Sequence, residues 1–583
     1  MPIRKYVKRY WKGFLLAIAF LMMEAAVDLT MPTLLAHLID RGIANRDMDE
    51  VLRIGGIMLL ITAAGAVAAS LRNVVAVVVA HRFGTELRSD LYRHIQTMDA
   101  ENIDRFERAS LITRMTNDIT VVQNFVHGLM RIFVKAPMLG LGALIFAVRL
   151  NPDLSVVFAV VVPIVAILVA FNMKVGFARF LRVQQSLDKV NGAIREYLSG
   201  VRVVKAFNRF DYEIEKFGRT NEEQKRQSVS AMRAMAAFHP AIMLVVNLGV
   251  VAILWVGGLW IDSGRMAEGQ VGELVAFINY MTQILFALMM VSMVFTMFVR
   301  ARASATRLRE VFAERPVLSR GEEMYREPVR EGGIEFKNVD FAYANASGEP
   351  VLKGVSLRIL PGQTVGIIGS TGSGKSSLVH LIPRFYDATA GTVRIDGRDV
   401  KTWDPTALRE AIAIVPQQSV LFTGTVAENI RWGNDRASDE DVVEAAKAAE
   451  AHEFVARLPE GYESRIGQQG VNLSGGQKQR LSIARALARK PRILILDDST
   501  SAVDTATESR IKESLRRRAK GLTCLIIAQR VTSVMDADQI VVLDQGEVVG
   551  VGDHRTLLAN NAVYREIFQS QIGKELQANV EAR

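Results

Sequence analysis

Apolar residues fall in long runs over the first three hundred positions of this chain. Six of them, about 13–37, 54–80, 128–149, 154–175, 238–262 and 271–299, hold few charges and are separated by polar spacers. About 20 such residues in a helix cross the hydrocarbon of a bilayer, so the pattern predicts six spanning helices. A buried soluble core could absorb one or two of these runs, but not six. The first run is too long for a cleaved signal peptide, and no small-residue cleavage site follows it. At 583 residues the chain is also too long for one domain, and near residue 330 the pattern changes. The predicted architecture is an all-α six-helix transmembrane domain fused to a second domain of a different kind. The expected boundaries are 1–310 for the membrane domain, 311–330 for a linker, 331–573 for the second domain and 574–583 for a tail.

Charge orients the spans. The segments 81–127 and 174–237 are rich in Arg and Lys, as is the N-terminus with Arg4, Lys5, Lys8, Arg9 and Lys12. The connections 38–53, 150–153 and 263–270 carry few. Basic residues stay on the cytoplasmic side, so both termini, both long loops and the second domain are expected inside a plasma membrane crossed several times. The net charge of +10 then lies mostly against anionic headgroups, and a nucleic-acid partner is excluded. The single cysteine, Cys524, rules out a disulfide framework.

Three motifs near the C-terminal end carry chemistry. Gly369-Ser370-Thr371-Gly372-Ser373-Gly374-Lys375-Ser376, followed by Ser377, is a P-loop. Its glycines let backbone N–H groups close around a triphosphate, Lys375 reaches the β- and γ-phosphates, and the Ser376 hydroxyl ligates Mg²⁺. Leu473-Ser474-Gly475-Gly476-Gln477 opens a helix whose N–H groups and dipole favour a phosphate. Ile493-Leu-Ile-Leu496 reads as a buried strand ending at Asp497, a Mg²⁺ ligand, and Asp498. The second domain is therefore expected to be an α/β P-loop nucleotide-binding domain, with ATP and Mg²⁺ as cofactors.

In this order and spacing the motifs resemble the six-helix exporter half-transporters of the ABC superfamily, especially bacterial multidrug exporters. The likeness covers essentially the full length, including Glu196-Tyr-Leu-Ser-Gly200 and Val204-Lys205-Ala-Phe207 in the second inner loop. It implies a dimer of such chains, with each ATP held between one chain's P-loop and the other's signature, Leu473 to Gln477. It also implies that Tyr343 stacks on adenine, that Gln417 senses Mg²⁺, and that Asp504 lies in the loop crossing between the cassettes. The inner loops read as helices extending the spans, each broken by a turn suited to docking a cassette: Glu101–Phe106 and Phe207–Tyr212.

Two positions depart from the family pattern. Glutamate normally follows the Walker B aspartate and polarises the attacking water; here it is Asp498, whose carboxylate is withdrawn by more than about 1 Å, a displacement that can cost on the order of a hundredfold in rate. Histidine is the family residue where this chain has Gln529, and glutamine cannot carry a proton or positive charge. Gln468, where an acidic residue is common, is softer evidence. Together these changes resemble the degenerate half of a heterodimeric exporter: this chain would hold the slow ATP site and lend an intact signature to its partner's competent one. A self-sufficient homodimeric exporter or lipid flippase is the alternative. An ATP-gated channel is the reading from a different functional class.

The cargo is expected to be a small amphipathic molecule: a drug, lipid or peptide. Glu24 and Asp28, four residues apart in the first span, are candidates for its cavity, as are Asn279 and Gln283 in the last. The carboxylates could equally pair with polar groups on neighbouring helices. The methionines and phenylalanines from Phe286 to Phe298 suit either an adaptable binding wall or plain packing.

Overall fold

The computed structural model describes residues 3–263, 270–316, 318, 324–344, 349–518 and 521–581, with no side chains for 3–4, 518 and 572–581. Most of the expected connection 263–270, part of the linker 311–330 and the end of the tail 574–583 therefore lie outside the described residues. The chain forms two compact units. The first comprises residues 1–96 and 109–313, the second 97–108 and 314–583.

The described residues of the first unit form helices joined by short turns. Its elements, with the short α3 that belongs to the second unit, are α1 (Ile3–His37), α2 (Met48–Gln96), α3 (Ala100–Asp104), α4 (Arg108–Thr113), α5 (Ile119–Gly128), α6 (Lys135–Leu150), α7 (Val156–Ala206), α8 (Phe210–Ala236), α9 (Phe238–Asp262) and α10 (Val271–Ala313). Among the described residues, six helical stretches are long and apolar enough to cross a membrane. They overrun the hydrophobic runs because their polar ends continue in register: α2 extends to Gln96 and α7 to Ala206. Pro32 and Pro163 sit inside α1 and α7, as spanning helices tolerate when neighbours satisfy the freed backbone groups. Phe158 stacks on Phe277 at 5.4 Å within a core that Tyr280 joins; Tyr280 donates to the Leu29 carbonyl at 2.9 Å, tying α10 to α1.

The second unit is α/β. Its strands are β1 (Ile334–Phe341), β2 (Leu352–Ile359), β3 (Thr364–Gly369), β4 (Ala390–Ile395), β5 (Arg398–Asp399), β6 (Ile412–Val415), β7 (Gly424–Thr425), β8 (Arg465–Ile466), β9 (Ile493–Asp497), β10 (Thr523–Ile527), β11 (Gln539–Asp544) and β12 (Glu547–Gly552). A six-stranded sheet runs β12-β11-β3-β10-β9-β6, parallel except at β12. Every residue of β9 and β10 is buried, as parallel strands covered on both faces require. Cys524 lies within β10, where burial pushes its thiol up to about 12. A four-stranded antiparallel sheet, β2-β1-β4-β5, lies beside it.

The turn at 101–106 joins this second unit through α3. The Asn102 side chain is fully buried; its Nδ2 donates to Glu314 Oε1 at 2.8 Å and to the Arg315 carbonyl at 2.9 Å, while its Oδ1 accepts from Asp99 N. Tyr386 Oη donates to Asp104 Oδ2 at 2.6 Å. The turn at 207–212 stays in the first unit, with Phe207, Phe210 and Tyr212 exposed.

Candidate functional site

Strand β3 delivers the P-loop. Gly369 ends the strand where a Cβ would meet the Leu543 carbonyl at 2.0 Å, and Gly374 has φ +95° with Val351 O 2.9 Å from the place a Cβ would take. Only glycine fits such positions. The helix Lys375–His380 begins immediately afterwards. Lys375 Nζ donates to the carbonyls of Gly369 at 3.0 Å and Ser370 at 2.7 Å. Burial lowers the ammonium's pKa, while Asp497 and Asp498 pull it back up.

Next to β3 in space, with only β10 between them, β9 carries Asp497 to the same end of the sheet. Ser376 Oγ donates to Asp497 Oδ1 at 3.1 Å, and Asp497 is only 5 % exposed. A hydroxyl and a carboxylate this close are the oxygen donors that Mg²⁺ takes alongside substrate phosphates; no larger acidic cluster is needed, and none exists among the described residues.

Asp498 follows in the left-handed region, φ +47°, its N–H bonded to the Ile527 carbonyl at 2.9 Å. Aspartate tolerates this conformation better than most residues. Its Oδ2 accepts from both Gln417 Nε2 and Gln529 Nε2, each at 3.3 Å. Burial raises the carboxyl's pKa, and Asp497 adds to the effect. Lys375, Ser376, Asp497, Asp498, Gln417 and Gln529 thus belong to one constellation. Tyr343 is tied to it: its hydroxyl shares a hydrogen bond with Ser377 Oγ at 3.0 Å, and its ring meets Tyr386 edge-on at 5.3 Å.

The signature stands apart from that constellation. Ser474 caps the helix Gly475–Ala488, accepting from Gln477 N at 3.3 Å while its own N–H donates to Gln477 Oε1 at 2.9 Å. No hydrogen bond among the described residues joins it to the P-loop. Asp504 caps the next helix through Thr507 N at 2.9 Å. A connection not foreseen from sequence runs between these elements. Gln479, on the signature helix, donates to Ser501 Oγ at 3.3 Å and accepts from Ala502 N at 3.0 Å, while Ser501 Oγ donates to the Asp498 carbonyl at 2.9 Å.

In the first unit, Glu24 and Asp28 have protein partners. Glu24 pairs with Arg72 at 2.7 Å and Lys135 at 2.6 Å, and Asp28 with Lys135 at 2.9 Å. Gln283 Nε2 donates to the Asp28 carbonyl at 2.8 Å, whereas Asn279 Nδ2 turns back to its own helix at Val275 O. Sequence reading left the pairing open and did not name Arg72 or Lys135, yet each is a basic residue within an apolar run, the signal that marks such partners.

Comparison with known proteins agrees with this division. Residues 14–289 match the ABC transporter transmembrane region family, and residues 352–501 the ABC transporter family. The chain is 39% identical over 563 residues to the ABC transporter ATP-binding protein YfiB of Bacillus subtilis, covering 96% of each. It is 33% identical to a protein of Chromohalobacter salexigens named ATP-dependent lipid A-core flippase, covering 97% of this chain and 96% of that one. A solved bacterial Atm1-family ABC exporter with ATP bound superposes with a TM-score of 0.79 at 26% identity, covering 97% of this chain and 98% of the other.

Proposed function

This chain belongs to the ABC transporters as an exporter half-transporter, and from that premise we propose that it is the slow-site subunit of a heterodimer. ABC exporters are ATP-hydrolysing membrane proteins that work as dimers. The observation that carries the finer reading is the company kept by Asp498: a shortened carboxylate between two glutamine amides, with no imidazole hydrogen-bonded to it among the described residues. We assign 1–310 to the membrane domain, 331–573 to the cassette, and both termini to the cytoplasm.

In this reading Tyr343 stacks on adenine and the P-loop N–H groups wrap the phosphates. Lys375 bears on the γ-phosphate as water attacks in line. Mg²⁺, held by Ser376 and Asp497 with Gln417 nearby, supplies charge neutralisation on the phosphate oxygens. Asp498 orients the water poorly because its carboxylate sits one methylene too far back, and Gln529 donates a hydrogen bond without a charge. Leu473 to Gln477 serve the partner's ATP, and Asp504 faces the cassette interface. The cargo is an amphipathic molecule carried outward.

The test is steady-state ATP hydrolysis by the chain purified alone in lipid. We expect near-zero activity, revived on the order of a hundredfold by Asp498→Glu with Gln529→His. Robust hydrolysis by the unmodified chain would instead establish a self-sufficient homodimeric exporter or flippase.

A further inference from the structure

The ion pairs inside the first unit leave a charge over. Glu24 and Asp28 are held by Arg72 and Lys135, so an incoming cation would have to displace a protein ammonium or guanidinium to reach either carboxylate. A third cation, Arg131, stands four residues before Lys135. It is exposed, makes no ion pair or hydrogen bond among the described residues, and lies within electrostatic reach of Arg72 and His127. Two carboxylates therefore face three permanent cations. In a span, where an unmatched charge is costly, such a residue marks function.

Two further observations point the same way. The Arg72 side chain is only 6 % exposed, and its Nε finds no acceptor among the described residues; a buried donor of this kind is costly to leave unmade. Arg131 sits in a π-helical turn, Leu129–Phe133, between α5 and α6. The extra residue of such a turn re-aims the side chains beyond it, and these turns recur at functional sites. Alongside, α10 touches this segment at Gly140 through Ala287 and at Gly128 through Met297, and between those contacts it exposes Met289, Met293 and Phe295.

We propose that Arg131, with Arg72 behind it, binds the acidic group of the transported molecule, so that the substrate is an amphipathic anion: an apolar body bearing a phosphate or carboxylate. Glu24 and Asp28 then position the cations and do not contact cargo themselves. This rests on the export reading above and gives its substrate a charge.

The test uses the full chain in neutral phosphatidylcholine nanodiscs without nucleotide. Equilibrium binding of radiolabelled dodecyl phosphate is compared with that of dodecyltrimethylammonium, which has the same tail and the opposite charge. Dodecyl phosphate is expected to bind about tenfold tighter or more; Arg131→Gln should abolish that preference and Arg131→Lys should keep it. Arg131 is exposed and makes no ion pair or hydrogen bond among the described residues, so neither change removes one from the fold. Tighter binding of the cation, or dodecyl phosphate binding untouched by Arg131→Gln, overturns the proposal. ATP binding on the same samples separates the two readings: ATP bound without anion preference removes the inference alone, whereas a chain that binds no ATP removes the transporter reading.

Discussion

Asp498 concentrates what a single residue can decide here. Its carboxyl is partly desolvated and lies beside Asp497, which together outweigh the amide hydrogen bonds that favour its ionised form, so its proton leaves at a higher pH than from an ordinary aspartate. Hydrolysis at this site needs the ionised form. The slow turnover should therefore decline as pH falls through a range above the ~3.9 of a free aspartate. Asp498→Asn should cost about a hundredfold in that residual rate and remove the acid limb, which single-turnover measurements across pH would reveal. The stability sign is opposite: a raised folded pKa favours the protonated form, so this contribution is present at low pH and is lost as pH rises through the folded value. Lys375, Ser376 and Asp497 could be named from sequence because their spacing along the chain encodes their roles. Glu24 and Asp28 could not be interpreted fully, because the cations that hold them come from other helices, Lys135 being 111 residues from Glu24.

At the scale of elements, the short helix α3 shows how a loop of the membrane half joins the cassette's packing. Asn102, buried between Glu314 and the Arg315 carbonyl, and Tyr386, bonded to Asp104, hold it there. The same Tyr386 ring packs on Tyr343, the residue we assign to adenine. Tyr386→Phe removes one hydrogen bond without changing shape, a net loss of about 1 kcal/mol. ATP binding should survive it, while transport per ATP hydrolysed should fall several-fold in proteoliposomes. An unchanged transport ratio would mean that α3 is held by packing alone. Turn-like residues at 101–106 and 207–212 looked equivalent in sequence. They separate in three dimensions because only the first has a buried asparagine capping α3 and bridging to residues 314–315.

For the whole molecule the question is which site each motif serves. Ser474 is occupied in capping its own helix and makes no bond to the P-loop among the described residues. If the signature completes a partner's site, Lys375→Ala and Gly475→Glu should not be equivalent in the assembled transporter. Lys375→Ala should weaken nucleotide binding at the slow site and leave most turnover. Gly475→Glu places a carboxylate where the partner's γ-phosphate must lie and should reduce turnover on the order of a hundredfold or more. Steady-state hydrolysis by the two reconstituted variants decides this, and equal losses would count against the division of roles.

The six spans, the α/β cassette and the linear motifs were set by sequence alone, because each depends on local periodicity or on residues adjacent along the chain. A run of apolar residues must become a helix to cross lipid, and a glycine-rich loop followed by lysine can satisfy few other demands. Only the tertiary structure decided what meets what. It brought Gln417 and Gln529 onto one oxygen of Asp498, tied Gln479 to the loop after Asp498, and gave Glu24 and Asp28 their cations. Those contacts depend on how helices and strands distant in sequence pack together, and electrostatic pairing over a few ångströms leaves no trace in the spacing of residues.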